Sequence, residues 1–219
     1  MSDYNSGENA VESVKTEEVK ADNGIKLYIG DTILDGINIS IKNIGPMLVN
    51  IIFWVLTFWI PYLNVGTTIG MTAGIIPKLS RGEPISYTEI FDPKYRKYMG
   101  DYFLTIGLLL FGVFAGILFF IIPGYILAIA WSLALLLVVD KGKNPMEALK
   151  LSNDITYGHK GRIFLIYLII GIISFILQVV LIKFDNNFAI FLLVIVYIIL
   201  NLLVFGIQAS IYKQLVKDV

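Results

Sequence analysis

The amino-acid sequence predicts an all-α integral membrane protein: six transmembrane helices paired as three hairpins, plus cytoplasmic amphipathic interfacial helices. Three observations carry this prediction. Hydrophobic residues make up 57% of the chain, above the roughly 45–50% apolar usage of soluble domains. Several nearly uncharged runs approach the roughly 20 residues that cross a bilayer. Finally, 16 of the 17 Lys and Arg residues fall in segments that a three-hairpin arrangement places on one side, which the positive-inside rule assigns to the cytoplasm. The expected location is therefore the cytoplasmic (inner) membrane, multi-pass, with both termini cytoplasmic.

Residues 1–23 hold six acidic residues and few large apolar groups, too little burial to offset ordering, which predicts a disordered acidic tail. This polar start lacks the basic and apolar parts of a cleavable signal peptide, so Met1 is expected to stay. From 24 to 45, Ile29, Ile33, Ile37, Ile41 and Ile44 recur at helical spacing, which predicts an amphipathic interfacial helix, weakened by Gly30 and Gly36. The six-helix transmembrane domain is expected over 46–212. Its first leg, 47–60, runs into Phe58-Trp59-Ile60-Pro61-Tyr62, whose Phe, Trp and Tyr are aromatics of the kind enriched at the membrane interface.

The return leg, 65–79, carries Gly66, Gly70 and Gly74 on one face. That spacing points to close packing against the preceding helix, or else to a partly unwound, cavity-lining segment. A polar connection follows over 77–100, with Arg81, Lys94, Arg96 and Lys97 among aromatics, suited to lipid headgroups and not to nucleic acid. Ser86 and Glu89 stand at capping-box spacing. The third span, 102–122, has Gly112 and Gly116 as packing positions, and Pro123-Gly124 marks a reversal into 125–139. Asn144, Pro145 and Glu147 then open a surface helix, which leads past His159, Lys160 and Arg162, further candidates for headgroup contact or docking, into a fifth span, 163–182. A loop containing Lys183 precedes a sixth span over 188–212, and 213–219 is a polar cytoplasmic tail.

Leu79-Ser80-Arg81-Gly82-Glu83-Pro84-Ile85-Ser86, the Ile122-Pro123-Gly124 break, Val138-Val139-Asp140, and Pro145-Met146-Glu147-Ala148-Leu149-Lys150-Leu151-Ser152 with Thr156-Tyr157-Gly158-His159 occur in this order. Together they resemble the bacterial and archaeal polytopic family related to the membrane domain of glycerophosphodiester phosphodiesterases. The resemblance spans roughly residues 25–212. It implies a helical membrane domain without agreed catalytic residues, because chemistry in those phosphodiesterases belongs to a separate barrel of about 250 residues, for which this chain has no room.

No catalytic residues, metal ligands or cofactor are predicted. The absence of Cys removes thiolate chemistry, and a single His removes a multi-histidine centre within one chain. Within the apolar runs the polar side chains are neutral, and Gln178, Asn201 and Gln208 are candidates for a patch between the last two spans. The expected function is a non-catalytic scaffold, accessory subunit or lipid-interacting factor. Membrane lipids are the expected partners, with a protein partner or second copy left open. Two alternatives are a transporter of a small or lipidic solute through discontinuous helices at 65–79 and 125–139, and an enzyme acting on lipid headgroups with Asp140, Glu147, Asp154 and His159.

Overall fold

Two helices among the described residues are interrupted, at 70–74 and at 131–133. A computed structural model describes residues 27–182 and 187–217; the predicted tail 1–23 and the loop containing Lys183 lie outside the described residues. Among these the chain is helical without strands. Helix α1 spans Ile29–Lys42 and α2 spans Ile44–Thr57. The chain returns through α3, Pro61–Ile69, a π-helical turn, Gly70–Gly74, and α4, Ile75–Arg81. Pro77 has no N–H to offer the Ala73 carbonyl and its ring crowds that group. The wider turn just before it is the local accommodation.

Two short 3₁₀ turns, Glu89–Phe91 and Pro93–Tyr98, lead into α5, Met99–Phe119. The reversal falls at Phe120, whose backbone is extended, and not at Pro123-Gly124. Helix α6, Ile121–Ala130, therefore takes Pro123 into its first turn, where a missing N–H costs nothing. Gly124 instead packs against Gly116, as Trp131 does against Gly112, so both predicted packing glycines seat the neighbouring leg. After a break at 131–133 the chain continues as α7, Ala134–Lys141. Helix α8, Pro145–Thr156, starts with the predicted Asn144 cap, whose Oδ1 accepts from Glu147 N at 3.0 Å. Helices α9, Lys160–Ile182, and α10, Asn187–Leu215, complete the fold.

Among the described residues four helical stretches are long and apolar enough to cross a membrane: Pro93–Phe119, Ile121–Lys141, Lys160–Val180 and Phe191–Leu215. A fifth is reached only if α1 and α2, bent by 75°, are taken as one span. The first expected hairpin accounts for the difference. Its return leg is among the most buried parts of the chain, with Ile69, Met71, Ala73, Ile75 and Ile76 inaccessible, yet it carries Asn64, Thr67, Thr68 and Thr72 and is too polar to pass.

Burial divides the molecule. One end is dense and joins α4, α7, α8, the second half of α10 and the 3₁₀ turns, while exposed large apolar residues crowd α2, the end of α5, the start of α6, most of α9 and the first half of α10. Helix α1 packs antiparallel to α10 in the dense end. Its contact face is Thr32, Gly36 and Ser40, not the isoleucine stripe, of which Ile41 and Ile44 are exposed. The Ser40 hydroxyl donates to the Leu202 carbonyl at 2.9 Å, and Gly36 and Gly206 leave no room for a Cβ. Of the predicted tail 213–219, the stretch 213–216 is not free, since Leu215 and Val216 are buried and Lys213 and Gln214 bond to α1.

Gly206→Ala is expected to lower stability by about 1–3 kcal/mol through overpacking. Gly107→Ala, with open space around it, should be neutral or slightly stabilising through helix propensity. Thermal unfolding of the two variants in one detergent compares them directly.

Candidate functional site

Glu89 is the charge that the dense end is built to hold. Its side chain is only 5% exposed, yet Lys78 Nζ lies 2.9 Å and Lys94 Nζ 3.2 Å from its Oε1, and the Tyr95 hydroxyl donates to the same oxygen at 2.8 Å. Burial alone pushes this carboxyl up, but the hydrogen bonds from Lys78, Tyr95 and Lys94 and the charge of Lys78 together hold it below the ordinary carboxylate value. The Tyr95 ring lies on Gly70 and Gly74, and Arg96 lies on Gly66. These three glycines therefore receive the polar connection and not the preceding helix α2. Glu89 does not close a capping box with Ser86 either, since the Ser86 hydroxyl accepts from Thr88 N. Asn50 holds the connection to α2, donating to the Ser86 carbonyl at 2.8 Å and accepting from Ile90 N at 3.1 Å.

The turn after α4 builds a second group. Gly82 adopts a left-handed conformation (φ 71°) and closes the helix through hydrogen bonds from Gly82 N to Leu79 O and from Glu83 N to Lys78 O. Arg81 thereby reaches Glu83 and, at 2.7 Å, Asp140 at the end of α7; the Tyr212 hydroxyl of α10 donates to the other Asp140 oxygen at 2.8 Å. Asp35 of α1 takes Lys213 at 3.2 Å and the Ser210 hydroxyl at 3.0 Å. Between these groups lies a polar cleft of about 410 Å³, lined by Asp35, Asn38, Lys42, Arg81, Glu83 and Lys213 among others. Both carboxylates in it are already paired, so its chemistry is that of joined helix ends.

The break between α6 and α7 is satisfied by α8. The Ser152 hydroxyl donates to the Ala130 carbonyl at 2.7 Å and accepts from Leu133 N at 3.2 Å; Thr156 adds a hydrogen bond to Ala130, and both side chains are fully buried. Helix α8 is thus more than the expected surface helix, although Glu147 and Asp154 do face outward. Gln208 reaches the Ser132 carbonyl at 3.5 Å, Asn201 donates to the Tyr197 carbonyl of its own helix, and Gln178 is exposed. The three amides each look elsewhere and do not form the predicted patch, because a seven-residue spacing places two groups on one face without choosing its neighbour.

Asn201 instead lines a lateral groove of about 510 Å³ between α2 and α10. Ile51, Ile52 and Val55 form one wall, Val194, Ile198 and Phe205 the other, and Met71 and Thr72 of the π-helical turn close its floor. Ile52, Val55 and Val194 are exposed, so the groove opens through the apolar surface. Of the predicted headgroup residues, Arg81 and Lys94 are committed to carboxylates, and Arg96 stacks on Tyr62 with its Cζ 4.5 Å from the ring centroid. Lys160 bonds Asn153 at 2.8 Å, His159 is half-buried in the turn before α9, and Lys97 and Arg162 are exposed. No group of three metal-ligating side chains occurs among the described residues.

No protein-family model, curated protein or solved structure matches the chain. The resemblance drawn above therefore rests on its motifs alone.

Glu89→Gln is expected to cost about 2 kcal/mol at neutral pH, because it leaves Lys78 with a neutral partner. The folded carboxyl titrates below its usual value near 4.5, so its contribution is present above that value and is lost as pH falls through the folded-state pKa. The stability gap between wild type and variant should close in acid, as chemical unfolding from pH 7 to pH 3 would reveal. Ser152→Ala uncaps the α6–α7 break and should cost about 1–3 kcal/mol, with faster amide exchange at Leu133 as its local signature.

Proposed function

We propose that this chain is a non-catalytic, lipid-interacting protein of the cytoplasmic membrane, with its long connections and both ends on the cytoplasmic side. The lateral groove between α2 and α10 carries the reading. It is lined by aliphatic and aromatic side chains, opens between exposed apolar residues of two membrane-embedded helices, and has Thr72 and Asn201 as its polar points. Water does not stabilise such a space, so hydrocarbon fills it in a bilayer. The orientation is supported by the 16 of 17 basic residues that precede, separate or follow the apolar hairpins on one side.

A transport reading draws on the two interrupted helices, the arrangement by which many carriers expose backbone to a solute. Met71, Ala73, Leu133, Ala134 and Leu137, from these helices, are all fully buried apolar groups, and the break beside them is capped by Ser152. That filling favours the lipid-holding role over a solute path.

Protein purified in a mild detergent is expected to retain lipid, read by mass spectrometry of the extract. Ile198→Trp, which fills the groove, should lose it, and Leu118→Trp on the exposed face of α5 should retain it at unchanged melting temperature. Equal retention by both variants, or none by the wild type, would overturn the reading.

A further inference from the structure

We infer that the α2–α3 hairpin does not cross the membrane but is a re-entrant wedge, inserted into the acyl layer of the leaflet that adjoins the long connections. Helix α2 has 14 residues, about 21 Å at 1.5 Å per residue, against a hydrocarbon core of about 30 Å. Helix α1 cannot extend it, because the chain bends by 75° between them.

Arg96 fixes the depth of the hairpin. Its guanidinium donates to the Tyr62 hydroxyl at 3.2 Å, and a Cβ on Gly66 would sit 3.1 Å from the Arg96 Cγ. The chain at Arg96 therefore runs beside Gly66. From Gly66 to Pro61, where the hairpin turns, is five residues, about 7.5 Å. Arg96 is flanked in sequence by Lys94, Lys97 and Asp101, all exposed, and an exposed charge at the bilayer centre costs about 2.5–3.5 kcal/mol even on the mildest scale. These four residues belong in water or among headgroups. The hairpin tip is then only about one to two helical turns deeper, far from the opposite face.

The tip itself suits that depth. Phe58, Trp59, Ile60 and Tyr62 are exposed, Trp59 at 85%, and aromatic rings of this kind favour the boundary between headgroups and acyl chains. A cation stacked on Tyr62 is at home at that boundary, because the ring offers its face while the charge stays near water. The inserted surface is thus an apolar and aromatic tip with Arg96 at its collar, and its partner is the near-leaflet acyl layer. The inference does not depend on what fills the α2–α10 groove.

The chain contains no cysteine, so single-cysteine variants read sidedness without background. Tyr87→Cys, at an exposed position in the connection, defines the near face; Trp59→Cys reports the tip. Both go into sealed vesicles of known orientation and are treated with a membrane-impermeant maleimide. Position 59 is expected to show no labelling from the face opposite position 87, and to react either from the same face or only once detergent dissolves the bilayer. Labelling from the opposite face, as a full span pair requires, would overturn the inference. So would protection that persists in detergent, which would mean that protein covers the tip. Unchanged melting temperatures for both variants keep the comparison on the native fold.

Discussion

A carboxylate can lie against the backbone of an inner helix only if its neutralising partners are brought with it, and Glu89 meets that condition. Lys78 comes from α4, Lys94 and Tyr95 come from the 3₁₀ turn that follows, and all three converge on one oxygen. This junction presses the connection onto the glycine face of the α3–α4 leg. It thereby fixes where α5 begins relative to α3. Without the three glycines the ring of Tyr95 could not approach, and without the two lysines the charge would be left buried and unpaired, a penalty of several kcal/mol.

Each interrupted helix is met by a segment outside it, the first by packing and the second by hydrogen bonds. Pro77 forces a wide turn, and its glycines make room for the connection. The 131–133 break exposes backbone, and α8 lends Ser152 and Thr156 to it. Backbone without hydrogen-bond partners is tolerated at membrane depth only when protein supplies them, which is why these capping groups come from the segments between spans. Asp140 completes the same logic, since one carboxylate receives Arg81 from α4 and Tyr212 from α10. The polar connections act as the clamp that holds the apolar legs together.

Hydropathy made α5, α9 and α10 legible almost to their ends, because a long uncharged run admits few alternatives. The Asn144 cap and the seating of Gly112 and Gly116 were legible for a similar reason: each is a local contact along the chain or with the adjoining leg. The failures share a different cause. Gly66, Gly70 and Gly74 announce a close approach but not the partner, which is the 3₁₀ segment 20 to 30 residues later. Gly36 looked like a weak point in an isoleucine-striped helix and is instead its contact with α10. Glu89 stands in sequence beside Ser86 and reads as a cap, while its partners Lys78 and Tyr95 lie on either side of it and meet it only in the fold. A pattern along the chain encodes which face is small or apolar, and the tertiary structure decides what covers it.

The same limit applies to topology. A count of basic residues records the side on which each connection lies, and a hairpin that crosses twice returns the chain to that side just as one that dips and comes back does. The charge asymmetry of this chain is therefore equally strong under both arrangements. What separates them is a register between an apolar leg and a charged one, and the contact of Arg96 with Tyr62 and Gly66 supplies it. Because an arginine beside exposed lysines cannot be carried deep into hydrocarbon, the helix it touches cannot be deep there either. One ion–aromatic contact thus bounds the depth of a whole hairpin, and it does so through the cost of placing charge in lipid.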